Sequence, residues 1–145
     1  MKAIFIIGLF TLSSLAQAQI PEDIIASFFD DYKNATPEAA IDNLYARMPQ
    51  ADKIRDDINQ IKIQFAGLQN LVGAYSGNEL IVKKEVGSSY VIYSYLAKYE
   101  RQPIRFIFQF YKPGDTWGLH GFSYDDELDN ELEEAVKLYN LELGH

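Results

Sequence analysis

Residues 104–111 read Ile-Arg-Phe-Ile-Phe-Gln-Phe-Tyr, and this stretch decides the fold. Side chains of a strand alternate between two sides, so Ile104, Phe106, Phe108 and Phe110 share one face and Arg105, Ile107, Gln109 and Tyr111 the other. The first face must be core. Working outward, β-branched and aromatic residues continue on both sides with a period of two. They are punctuated by turn signals at Ser76-Gly77-Asn78, Gly87-Ser88-Ser89, residues 100–103 and Lys112-Pro113-Gly114-Asp115. Four antiparallel strands are predicted, over residues 79–86, 90–99, 104–111 and 116–124. Pro113-Gly114 suits the centre of a type II turn, where proline sets the first φ and glycine takes the positive second one, so a tight hairpin is expected there.

Upstream the period changes to that of a helix. Pro21-Glu22-Asp23 opens a first helix with proline and acids in its first turn, and Ile24, Ile25, Phe28, Phe29 and Tyr32 mark its apolar face. Thr36 is the expected N-cap of a second, with Pro37 at its first position and Ala40, Ile41, Leu44, Tyr45 and Met48 as its stripe; Pro49 should end it. A third helix starts near Asp52, carries Ile54, Ile58, Ile61, Phe65 and Leu68, and is expected to end around Gly67. Downstream, Asp125 or Asp126 caps a last helix with Leu128, Leu132, Ala135, Val136 and Tyr139 on one side. The fold class is therefore α+β: N-terminal helices packed on a curved four-stranded antiparallel sheet, with a C-terminal helix.

The second predicted strand places Val91, Tyr93, Tyr95, Ala97 and Tyr99 on one face and Tyr90, Ile92, Ser94, Leu96 and Lys98 on the other. Neither is plainly polar, so both faces are expected to be partly covered. The early helices fill one, which leaves the C-terminal helix or a second subunit for the other, and a homodimer through the sheet is one expectation.

Residues 1–18 have the form of a secretory leader: Lys2, an apolar run over residues 3–15, then Ala16-Gln17-Ala18 as the cleavage signal. The run is too short for a span, which needs roughly 20 apolar residues. A mature chain of residues 19–145, one domain, periplasmic or secreted and without a membrane anchor, is the expectation. There is no cysteine, hence no disulfide and no acylated anchor, and the apolar core alone must hold the fold. The 13 basic and 21 acidic residues give a formal charge of -8; loss of Lys2 with the leader makes it more negative still. Nucleic acid and anionic membrane surfaces are disfavoured as partners.

The order of helices followed by a long-stranded meander ending in Trp117-Gly118-Leu119-His120-Gly121-Phe122-Ser123-Tyr124-Asp125 resembles the cystatin-like, nuclear transport factor 2-like superfold. Lys98-Tyr99-Glu100-Arg101-Gln102-Pro103 and Phe110-Tyr111-Lys112-Pro113-Gly114-Asp115-Thr116-Trp117 look like small secreted bacterial proteins of that shape without an assigned activity. The resemblance implies a sheet curved around helices, often enclosing an apolar pocket. Two departures stand out: three helices precede the sheet without a strand among them, and an amphipathic helix follows the last strand, where it could cover a pocket. Enzymes of the superfold, such as ketosteroid isomerases and polyketide cyclases, place acids, His or Tyr in the cavity, but no motif carries those positions onto this chain.

His120 is the one catalytic candidate, a neutral imidazole able to act as a general base. Counted by alternation it shares a face with Phe122 and Tyr124, so it could equally be a packed strand histidine; an acid or tyrosine partner such as Tyr93 or Tyr95 would be needed for catalysis. Tyr93, Tyr95, Tyr99, Trp117 and His120 are the candidate ligand-binding residues, because an aromatic sheet face suits an apolar or ring-shaped ligand, although strand propensity and core packing also favour such residues. The acids at Asp125, Asp126, Glu127, Asp129, Glu131, Glu133 and Glu134 lack the spacing of a calcium loop and read as a solvated helix face. No metal site and no cofactor are expected. No nucleophile elbow, phosphate loop or metal-spaced histidine cluster is present. Three functions stay open: a non-catalytic exported domain binding a small apolar ligand or a protein partner at the concave sheet, an isomerase-, dehydratase- or cyclase-like enzyme using His120 with a cavity tyrosine, and an envelope interaction protein that oligomerises through its sheet.

Overall fold

The computed structural model describes residues 19–142. The expected leader, residues 1–18, lies outside the described residues. Helices α1 (Pro21–Asn34), α2 (Pro37–Tyr45) and α3 (Arg55–Val72) come first, with a 3₁₀ turn (Ala51–Ile54) before α3. Strands β1 (Tyr75–Val86), β2 (Tyr90–Tyr99), β3 (Ile104–Tyr111) and β4 (Gly118–Asp125) follow, then α4 (Leu128–Glu142). The sheet is an antiparallel meander in chain order.

Local chemistry accounts for most helix ends. Thr36 caps α2, its hydroxyl accepting the Ala39 N–H at 3.1 Å, and Pro37 sits at the first position, where no N–H is needed. The third helix corrects the expectation at both ends. Asp52 lies in the 3₁₀ turn rather than at an α-helical cap, and Gly67 is inside the helix. The apolar stripe runs on through Leu68 to Val72, and Gly73 ends it, at φ +90° with its N–H on the Gln69 carbonyl at 2.9 Å. Only glycine suits that place: a Cβ there would lie 2.7 Å from Glu100 Cβ as well as facing the unfavourable φ.

Register explains the core. Val91, Tyr93, Tyr95 and Ala97 of β2 stand opposite Phe110, Phe108, Phe106 and Ile104 of β3, and those phenylalanines stand opposite Leu119, Phe122 and Tyr124 of β4. Helices α1 and α3 lie on this face. Phe28 of α1 packs edge-on against Phe108 at 5.2 Å, and Phe65 of α3 meets Phe106 at 5.3 Å and Phe122 at 5.5 Å. Edge-to-face geometry lets the negative face of one ring meet the positive edge of another, adding about 0.5–1.5 kcal/mol per pair to the burial itself. Phe28, Phe65, Phe106, Phe108 and Phe110 are all fully buried. The helix-covered face is thus filled by interlocked rings.

Three strand expectations change. Strand β1 starts at Tyr75, because Ser76-Gly77-Asn78 forms an irregularity within the strand, with Gly77 at φ +150°, instead of a turn. Gly114 does not take a positive φ, so the type II turn at Pro113-Gly114 is absent, and β4 begins only at Gly118 after an open loop. A β-bulge opposite Gln109 and Phe110 inserts one residue into β4. Leu119 then joins the core face with Phe122 and Tyr124, and His120 is the extra residue, exposed. The alternation that grouped His120 with Phe122 and Tyr124 fails at that bulge.

On the opposite, outer face the C-terminal helix does not supply the cover that was one of the two expectations. Tyr90, Ile92, Leu96 and Ile107 are half-buried there, and α4 is not seated on them: Leu132, Val136 and Tyr139 are 62%, 57% and 61% exposed. What ties α4 down is Arg105, whose guanidinium bonds Asp125 at 3.0 Å on the neighbouring strand and Glu131 at 2.7 Å on the helix.

Candidate apolar cleft beside Trp117

The chain leaving α2 turns at once. Met48 N–H bonds the Tyr45 carbonyl at 2.9 Å, and the Arg47 carbonyl accepts the Leu119 N–H at 3.0 Å, fastening this turn to the start of edge strand β4. Gly118 makes the approach possible, since a Cβ there would come within 3.3 Å of the Arg47 carbonyl oxygen and Pro49 Cδ. On the far side, residues 112–117 bow outward between β3 and β4. The two segments leave between them a cleft of about 530 Å³, whose walls are Met48, Pro49, Tyr111, Pro113, Trp117 and His120, with Arg47 at its rim. This is within the ordinary size range of small-ligand sites, and mostly apolar walls with a few polar groups are their usual composition.

Electrostatics single the cleft out. No carboxylate lines it, in a chain that carries 21 acids. The Lys112 ammonium stands 5.1 Å from the centre of the Trp117 ring, a cation–π contact. His120 lies edge-on to Tyr90 at 5.5 Å and to Tyr111 at 6.2 Å. Among the described residues it has no hydrogen-bonded acid or tyrosine hydroxyl to make an acid–base pair. A larger groove of about 930 Å³ between α1 and α2 is polar, lined by Asp30, Asp31 and Asn43 among others, and its rims already bond each other through Asn43 and Asp31 at 2.8 Å. That groove reads as solvated surface.

The five residues singled out from sequence separate into two groups. Trp117 and His120 line the cleft; Tyr93, Tyr95 and Tyr99 lie on the helix-covered face, away from it. The Tyr93 ring is buried and its hydroxyl donates to Glu22 of α1. Lys83 of β1 completes this small cluster, reaching Glu22 at 3.0 Å and Glu85 at 2.8 Å. Burial, and next the bond to the Glu22 carboxylate, push the Tyr93 hydroxyl well above its ordinary range. Tyr99 shares a 2.7 Å hydrogen bond with Tyr32, and burial, followed by the neighbouring Tyr32, raises its pKa strongly too. Tyr95 packs half-buried against Phe29 at 5.2 Å and Phe108 at 6.0 Å. The Tyr93 and Tyr99 hydroxyls find their partners inside the fold, which is what buried tyrosines require.

Sequence reasoning missed Arg47, Met48, Pro49 and Pro113 as site residues. Pro113 lies in the same connection as Trp117 and was within reach of the same argument; the first three carry no local signal, because only the Arg47–Leu119 bond brings them there. Among the described residues, no helix is long and apolar enough to cross a membrane, and no group of three or more His, Asp or Glu side chains could hold a metal ion. Comparison with protein-family models, with curated proteins and with solved structures returns no match.

Proposed function

We propose that this chain is an exported, non-catalytic binding domain that takes up a small apolar ligand in the Trp117 cleft. The observation that carries the reading is the cleft itself: Trp117, Tyr111, Met48, Pro49 and Pro113 form an open apolar surface on a fold whose other aromatic residues are largely spent on its core. An apolar ligand seated there removes its own surface and that of the walls from water, at about 25 cal/mol per Å² of apolar area. The secretory form of residues 1–18 supports a periplasmic or secreted setting. The order of elements supports the cystatin-like, nuclear transport factor 2-like resemblance, with the binding site moved off the helix-covered face to its rim.

A native mass spectrum of the mature protein, purified gently from its export compartment, tests the reading. Retained extra mass that vanishes on denaturation, and that is lost in Trp117→Ala but kept in Tyr95→Phe on the helix-covered face, is the expected result; a bare monomer from the wild type speaks against it. A second reading, an envelope interaction protein, draws on the exposed Leu132, Val136, Leu138 and Tyr139 of α4. A bare dimer in the same spectrum favours that reading.

A further inference from the structure

We infer that the cleft is built for an amphiphilic anion, an apolar body carrying one carboxylate or comparable acidic group; this rests on the ligand-binding reading above and goes further by naming the ligand's chemistry. The argument is one of charge placement. Among the described residues five basic side chains are ion-paired: Lys62 with Asp42, Lys83 with Glu22, Lys98 with Glu79, Arg105 with Asp125 and Lys137 with Glu134. Arg47 and Lys112 are among the described basic residues without an ion pair, and what sets them apart is their place. Arg47 lines the apolar cleft, Lys112 stands over its Trp117, and no carboxylate lines that cleft to answer either charge. Asp30 and Asp31 line the neighbouring groove, which Arg47 also borders, yet no ion pair to either forms.

Such a pattern suits a ligand whose tail or ring lies on Trp117, Pro49 and Met48 while its acidic group faces the rim. A guanidinium offers a flat fork of N–H donors that matches a carboxylate, and an ammonium adds a point charge. Hydrogen bonds between ionised partners are about twice as strong as neutral ones, and beside an apolar wall they are less screened than in open water. A cationic ligand would meet both Arg47 and Lys112 as like charges, and a neutral one would leave them unused. The excess of acid elsewhere on the surface repels anions in general, so selectivity for this ligand has to come from contact at the cleft.

Trp117 is the only tryptophan, which makes its emission a direct report on the site. The experiment titrates the mature protein at low salt with decanoate and, separately, with 1-decanol, each kept below aggregation. Both should alter Trp117 emission, with decanoate binding about tenfold more tightly, the equivalent of about 1.4 kcal/mol. In the Arg47→Gln, Lys112→Gln double variant, decanoate should weaken to the level of 1-decanol, whose own affinity stays unchanged. Equal affinities in the wild type, or a decanoate preference that survives the double variant, would overturn the anion assignment while leaving apolar binding intact. If neither compound perturbs Trp117, the binding reading itself falls as well. Sedimentation with phosphatidylglycerol vesicles but not phosphatidylcholine vesicles, abolished in the double variant, would locate the anion in a lipid headgroup; decanoate binding without vesicle binding would locate it in a free acid.

Discussion

Glu22 is held ionised by its neighbours. Partial burial pushes its carboxyl up, but the hydrogen bonds from Tyr93 and Lys83 outweigh this and leave it below the usual glutamate range. Its folded pKa is therefore lower than its unfolded one, near 4.3, so the stability it contributes is complete above that value and is lost as pH falls through the folded value. Because the carboxylate is well exposed, the contribution is below about 1 kcal/mol. Comparing melting temperature against pH for the wild type and Glu22→Gln, we expect a gap of no more than about 4 °C near pH 7 that closes as pH drops below the carboxylate range. A gap of constant size down to acid pH would show that the interaction is not one of charge. At this same scale His120 teaches why a site residue was misplaced. Alternation reads faces correctly only while every residue is paired, and one extra residue beside Gly121 moves the imidazole off the core face. Gly121 is itself a hint, since a Cβ there would lie 2.7 Å from Gln109 Oε1, but a glycine in a strand signals a close approach without saying where the extra residue falls.

Among the elements, β2 and β3 were legible to the residue because Tyr, Val, Ile and Phe alternate between clear turn signals, and so was the start of α2 at its Thr36 cap, although that helix ends at Tyr45, short of the Met48 and Pro49 expected to close it. The end of α3 was not: Gly67 and Gly73 both follow apolar stripe positions, and only the contact with Glu100 distinguishes them. The fourth helix shows a different limit. Its stripe of Leu128, Leu132, Val136 and Tyr139 is plain in the sequence, yet periodicity tells that a helix has an apolar side and not what, if anything, lies against it. With Leu132, Val136 and Tyr139 exposed, Leu128 only half-buried and one ion-paired guanidinium as its tether, α4 adds little to the stability of the rest. Ending the chain after residue 127 should keep the near-ultraviolet circular dichroism of the packed rings and lower the unfolding free energy only slightly, because the Arg105–Glu131 pair is half open to solvent and Arg105 keeps Asp125. A loss above about 3 kcal/mol would mean that α4 is part of the core.

Across the whole molecule, the sequence told which sheet face is core, since Phe106, Phe108 and Phe110 have no other place to go, and it counted Trp117 among the candidate ligand-binding residues. It could not show that the helices would fill the core face so completely that Tyr93 and Tyr99 become structural, or that the exit of α2 would be bonded to β4. Packing and long-range backbone pairing decide both, and neither leaves a periodic trace. The outcome is a fold in which helices and sheet are committed to one aromatic core while the open apolar surface with free cations sits at the rim, between two loops. Amide chemical-shift mapping of the ¹⁵N-labelled chain from residue 19 onward during a decanoate titration tests this division most directly. The account predicts that shifts concentrate at residues 47–49 and 111–120, with the single tryptophan indole N–H among the largest; shifts centred on Tyr93, Tyr95 and Tyr99, or none at all, would contradict it.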